Sequence, residues 1–264
     1  MQSTRTEPFE AVIESGPFPI RFPRRGALGQ DEEWCEVEVD GSWRRIRFHD
    51  YEEVYRIPGL YETIFYRTLR CNSPTYMAEL LRDTLIERGL DPSSLRALDL
   101  GAGNGMMGEA LQALGTREIV AVDLISEARQ AAQRDRPWVY NDYVVADLSQ
   151  PSSEQRARLA ERKFNALTIV AALGFGDIPP QAVYTAFNLV SDQGCIAFNI
   201  KESFLRHDDA SGFARLIQRM LREEVLLMWS YKRYCHRLSV TGEPLYYIAA
   251  VAEKLRDIPL DFVA

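Results

Sequence analysis

From Arg96 onward, five short apolar or β-branched runs, "RALDL", "EIVAVD", "YVVAD", "NALTIVAAL" and "GCIAFNIK", alternate with amphipathic stretches at 106–114, 126–134, 152–162 and 181–190. Parallel strands need a crossover long enough to hold a helix, so this alternation predicts βαβ units and a doubly wound, mostly parallel sheet. A further helix is expected at 212–221. After it, "VLLMWSYKRYCHRLSV", the turn "TGEP" and "LYYIAAVAEKL" read as a hairpin. The predicted α/β fold is therefore a seven-stranded sheet that finishes antiparallel. A chain of 264 residues has room for one such domain plus an appendage.

The appendage precedes Arg96. "WCEVEVDGSWRRIRF" alternates with period two on both sides of Asp40-Gly41, a dipeptide that accepts the positive φ of a tight hairpin turn. Pairing across it sets Glu36 opposite Arg45 and Trp34 opposite Arg47, which supplies these arginines with a carboxylate and a ring. Two helices follow, broken at Pro58-Gly59, the second with Ser73 as its cap and Pro74 as its first residue, ending near Gly89. The expected organisation is an irregular leader over 1–33, the hairpin and a helical cap over 34–90, and the main domain over 91–264.

The formal net charge is -7, which disfavours a phosphate-tracking face, so no nucleic-acid partner is expected. The first residues lack a secretory pattern, and the apolar run at 167–175 is too short and glycine-interrupted to span a bilayer. No membrane partner is expected. Cys35, Cys71, Cys195 and Cys235 lie far apart with no C-x-x-C pair, which suits a reducing cytoplasm and provides neither a zinc site nor a disulfide framework.

Ligands of doubly wound sheets bind beyond the carboxyl ends of the strands, where the first strand's loop meets them. That loop here is "LDLGAGNGMMGEAL". Its "GNGMMG" is a literal G-x-G-x-x-G, and Gly103, Gly105 and Gly108 with Asp123 fit a nicotinamide dinucleotide. Asp99 points the other way, because a carboxylate beside a pyrophosphate is unfavourable whereas one beside an ammonium group is not. Asp147 then ends the third run, placing acids at three successive strand ends. Each alone is equally well a cap or turn former. Together they suit a ligand carrying an ammonium, a ribose diol and an adenine amine.

"LDLGAGNG", "VAVDLI" and "VVADLS" resemble the glycine-rich, ribose and adenine motifs of class I S-adenosylmethionine-dependent methyltransferases, and the final hairpin is similar to their reversed last strand. The resemblance spans about 95–255. It implies that Asp99 lies by the methionine end of S-adenosylmethionine, above a loop of Gly101, Gly103 and Gly105. It also implies that Asp123 takes the ribose hydroxyls, Leu124 covers an adenine face, and Asp147 and the Leu148 backbone meet the adenine edge. Val170 and Ala171 would border the methyl group.

A catalytic base is harder to find. Many relatives carry histidines where this chain has Gly174 and Phe175. His207, after the fifth strand, and Tyr61 are the candidate catalytic groups, and Tyr51, Tyr55, Tyr66 and Phe175 the candidate contacts for a small, partly apolar acceptor. The tyrosines also suit plain core packing. A sulfonium methyl is already activated, so alignment of a neutral acceptor can replace a base. Two other readings stay open: a nucleotide-dependent oxidoreductase, from "GNGMMG" alone, and a cofactor-binding interaction protein without turnover, from the missing base.

Overall fold

The computed structural model describes residues 18–23, 28–206 and 208–263. The chain forms two compact units, one from Met1–Cys71 with Cys235–Leu245, the other from Asn72–Tyr234 with Tyr246–Ala264.

In the first unit, β1 (Ile20–Arg21), β2 (Trp34–Val39) and β3 (Ser42–Arg47) make an antiparallel sheet. Asp40 and Gly41 both take positive φ, 52° and 74°, the mirror-image turn that matches strand twist. The register is the expected one, Glu36 opposite Arg45 and Trp34 opposite Arg47. The ring partner differs: Arg45 lies over Trp34 at 3.8 Å, while Arg47 reaches the Asp31 carbonyl at 2.9 Å. Diagonal neighbours on one sheet face are within reach of so long a side chain. Part of the segment expected to be irregular is ordered. Ile20 and Phe22 alternate inward and Arg21 faces Glu36, a two-period pattern hidden between Pro19 and Pro23.

Helices α1 (Tyr51–Arg56) and α2 (Leu60–Glu62), continued by a π-helical turn over Thr63–Thr68, close this unit's core with Val54, Leu60 and Ile64. The tip of the C-terminal hairpin belongs to the same unit. Glu33 there accepts from the Arg237 guanidinium at 2.5 Å and from the Val240 N–H at 2.7 Å, and the two charged side chains are 1% and 3% exposed.

The second unit opens with α3 (Ser73–Glu87). Its cap is Asn72, not Ser73, whose hydroxyl is instead 2.6 Å from the Tyr234 phenol. This helix, read from sequence as part of the cap, buries Met77, Leu81 and Leu85 against Leu95, Leu111 and Ile119 in the core of the larger unit. Then follow β4 (Arg96–Leu100), α4 (Met106–Ala113), β5 (Glu118–Asp123), α5 (Ser126–Asp135), β6 (Asp142–Val145), α6 (Ser153–Ala160), β7 (Phe164–Leu173), α7 (Pro180–Asn188), β8 (Val190–Lys201), α8 (Phe213–Arg222) and the hairpin β9 (Leu226–Leu238) and β10 (Pro244–Lys254). The sheet order is β6-β5-β4-β7-β8-β10-β9. The first five strands are parallel, and β10 runs antiparallel to β8. This is the predicted seven-stranded α/β sheet. Because β4 is flanked by β5 on one side and β7 on the other, the order reverses there and opens a crevice at its carboxyl end.

Removing one partner of a buried ion pair leaves an uncompensated charge, so Glu33→Ala is expected to lower stability by roughly 3–5 kcal/mol. Urea denaturation followed by tryptophan fluorescence checks it; an unchanged midpoint would show the pair to be energetically silent.

Candidate functional site

Asp99 stands near the carboxyl end of β4 and is 1% exposed. Tyr140, from the loop between α5 and β6, donates its phenol to Oδ2 at 2.7 Å. Thr168 of β7 donates its hydroxyl to Oδ1, also at 2.7 Å. Burial pushes the Asp99 carboxyl up to about 6, against the pull of these two donors and with a further push from the charge of Asp123. Tyr140 itself stays protonated, its phenol driven well above the usual tyrosine range by burial and by Asp99. Among the described residues no cation pairs with Asp99.

The glycine loop wraps this carboxylate. Gly101 has φ +70°, and a Cβ there would lie 2.7 Å from the Ala172 Cβ and 2.9 Å from the Ile178 Cδ1. Gly105, at φ +95°, caps α4 in a left-handed conformation. The space beside it is taken by Arg136 and Tyr140, each 3.3 Å from where a Cβ would be, and at Gly108 a Cβ would stand 2.6 Å from the Tyr140 ring. The last two glycines of "GNGMMG" thus make room for Tyr140, whose hydroxyl holds Asp99. Their spacing, which reads from sequence as a dinucleotide fingerprint, has a different steric reason here.

Asp123 ends β5 and ties the loop down, taking the Gly103 N–H at 2.9 Å and the Ile125 N–H at 3.0 Å on its two oxygens. Burial raises its pKa, the backbone donors oppose that, and Asp177 in the loop after β7 adds like charge. Tyr143 donates to the Gly103 carbonyl at 2.8 Å. Leu124, next to Asp123, is 61% exposed. The strand expected to run to Asp147 stops at Val145. Asp147 then forms a turn by accepting the Ser149 N–H and hydroxyl at 2.8 and 2.6 Å, followed by a buried Leu148. The structure thus brings Asp99, Gly101, Gly103, Gly105 and Asp123 into one hydrogen-bonded and packed assembly.

Val170 and Ala171 fall where β7 slips register against β8, between Ile169 and Leu173. Ala171 has φ +57°, an unusual conformation for a residue with a Cβ. Its N–H donates to Asn199 Oδ1 at 2.6 Å, Asn199 donates to the Tyr234 phenol at 2.5 Å, and Tyr234 meets Ser73. Phe175, also at positive φ, packs edge-on against Phe204 with Lys201 5.0 Å above its ring.

Tyr51, Tyr55, Tyr61 and Tyr66 lie in the first unit, linked ring to ring at 6.1, 5.0 and 6.1 Å; Tyr51, Tyr61 and Tyr66 pack on its core, and Tyr55 is buried. His207 lies outside the described residues. Sequence reading missed Tyr140, Thr168, Asn199 and Tyr234. Thr168 carried a signal, a hydroxyl at the centre of the apolar run "NALTIVAAL", whereas Tyr140 sits in a loop with no motif around it.

The sequence pattern of the methyltransferase domain family matches residues 74–245, and the chain belongs to that family. Its fold is similar to that of the N-methyltransferase NodS from Bradyrhizobium japonicum WM9, solved with S-adenosyl-L-homocysteine (16% identity, covering 78% of this chain and 97% of that one, TM-score 0.53). It is also similar to PH1948 from Pyrococcus horikoshii, which bears the name of an RNA methyltransferase (15%, 70% and 87%, 0.51). A third likeness is to the magnesium protoporphyrin IX methyltransferase ChlM from Synechocystis PCC 6803 (14%, 68% and 78%, 0.46). At such identities the likeness is one of fold alone. No curated protein matches the sequence.

Gly108→Ala is expected to destabilise the second unit by about 1–3 kcal/mol, since overpacking must displace Val139 or Tyr140. A thermal melt equal to that of the wild type would show that the ring has room to move.

Proposed function

We propose that this methyltransferase carries a methyl group from S-adenosylmethionine to a small-molecule acceptor. The observation that carries the cofactor reading is Asp99, buried between two hydroxyl donors with no described cation, beside an Asp123 that anchors the glycine loop. A cationic amino-acid tail fits such a carboxylate, and a pyrophosphate does not. Asp99 then faces the ammonium group, Gly101, Gly103 and Gly105 underlie the methionine portion, and Asp123 accepts from the ribose hydroxyls. Leu124 covers an adenine face, Asp147 accepts from the adenine amine beside the Leu148 N–H, and Val170 and Ala171 border the methyl. The cofactor supplies a methyl already activated by its sulfonium. The chain's part is to align the acceptor and exclude water, which suffices for a neutral amine. His207 and Tyr61 are the side chains proposed to accept a proton, and Tyr51, Tyr55, Tyr66 and Phe175 the acceptor contacts, on their chemistry alone.

Charge supports a small acceptor over a polyanion. In the first unit Arg21 and Arg45 both pair with Glu36, and Arg44 and Arg56 both pair with Glu53. These arginines form a compensated surface, and phosphate tracking needs uncompensated positive charge. No described helix is long and apolar enough to cross a membrane. A cytoplasmic location, read from the spacing of the cysteines, belongs to the same proposal.

Asp123→Ala is expected to weaken S-adenosylhomocysteine binding by about 1–3 kcal/mol, as a charged acceptor is lost. Calorimetric titration of the folded variant checks this, and unchanged affinity would move the ribose site elsewhere. With methyl-labelled cofactor and a cell extract, label is expected in the small-molecule fraction. Label mainly in RNA, falling steeply with added salt, would overturn the acceptor assignment.

A further inference from the structure

The Tyr140 phenol belongs to none of the motifs that define the site, yet three structural features converge on it. Its ring fills the space left by Gly105 and Gly108 and meets Tyr143 edge-on, with centroids 5.5 Å apart. Its hydroxyl lies 2.7 Å from Asp99 Oδ2 and 3.5 Å from the Ala102 carbonyl. One side chain therefore joins the carboxylate to the loop that cradles the cofactor in the reading above, on which this inference rests.

We propose that Tyr140 is a positioning residue that sets the orientation and charge of Asp99, so that the cofactor site takes its ligand with Asp99 ionised and, in acid where Asp99 is protonated, filling the site releases that proton to solvent. The groups facing Asp99 from each neighbouring element explain why. From β7 comes Thr168, a neutral donor. From β5 comes Asp123, a like charge, itself approached by Asp177 of the loop after β7. From β6 comes Tyr143, whose phenol is held protonated by burial. At the start of α4, Arg136 is engaged by Glu109 at 2.8 Å and by the Asn104 carbonyl at 3.4 Å. Burial and Asp123 thus favour the protonated acid, while the two hydroxyl donations favour the carboxylate. The group is balanced at about 6, and an arriving ammonium tips it to the ionised form. Cofactor affinity is therefore full above that pH and is lost below it, by up to about ten-fold per pH unit for one linked proton.

Tyr140→Phe keeps the ring against Gly108 and removes a donation that favours the carboxylate, so the inflection must move to higher pH. The wild-type protein and this variant are titrated with S-adenosylhomocysteine from about pH 5 to about pH 8.5, alongside Asp99→Asn. The expected result is a wild-type inflection near the Asp99 value, a higher one in Tyr140→Phe and none in Asp99→Asn. The affinity ratio between wild type and Tyr140→Phe then grows as pH falls toward the inflection. A residue that merely filled space would lower affinity by the same factor at every pH. An inflection that Tyr140→Phe leaves in place overturns the inference alone, whereas no binding by the wild type at any pH overturns the cofactor reading with it. A carbon-13 titration of the Asp99 carboxyl in the ligand-free wild type gives a second measurement that needs no variant. An inflection near the Asp99 value supports the inference, and one in the ordinary aspartate range overturns it.

Discussion

An aspartate buried in the first parallel strand, with two hydroxyls and no described cation to meet it, is the interaction on which the rest of the site depends. A buried carboxylate persists only where hydrogen bonds replace its hydration. Here the replacements come from far along the chain, Tyr140 before β6 and Thr168 within β7. Each requirement entails another. Tyr140 reaches Asp99 only because Gly105 and Gly108 present no Cβ to its ring. Thr168 reaches it only because β7 lies directly beside β4, with Thr168 in register with Asp99. The crevice, the glycine pattern and the hydroxyl in an apolar strand are one arrangement seen from three sides.

A second polar chain supports the opposite wall. The register slip in β7 leaves Ala171 in left-handed backbone; Asn199 accepts its N–H and donates to the Tyr234 phenol, which in turn meets the Ser73 hydroxyl. Strain of this kind persists where the surroundings over-determine it, and it clusters at functional sites. The C-terminal hairpin thereby acts on the segment proposed to border the methyl group, since Tyr234 belongs to β9 and Asn199 to β8. The same hairpin has another task at its tip, where Arg237 completes the buried pair with Glu33 in the first unit. An antiparallel finish to a parallel sheet is here a source of side chains as well as of strands.

The arginines show why charge has to be read with its partners. Those of β3 are adjacent in sequence, and a basic run of that kind is a common mark of nucleic-acid contact. Folded, Arg44 pairs with Glu53, Arg45 pairs with Glu36 and lies over the Trp34 ring, and Arg47 meets the Asp31 carbonyl and the Asp50 carboxylate, so little uncompensated field remains for a polyanion.

What the sequence determined by itself was whatever depends on local period and short spacing. The alternation of strands and helices, the Asp40-Gly41 turn with its register, the reversed final hairpin and the acids at the strand ends are all written within a few residues of where they act. Asp147 two residues past the end of β6, and Ser73 bonded to Tyr234 instead of capping α3, show the margin of that reading. Tertiary structure alone decided that Tyr140 and Thr168, 41 and 69 residues beyond Asp99, should share its charge, and that "GNGMMG" should accommodate a tyrosine. Such contacts have no period and no motif. They arise because sheet order, not sequence order, sets which side chains surround a buried group, and a buried carboxylate must find its donors among whatever that order brings near.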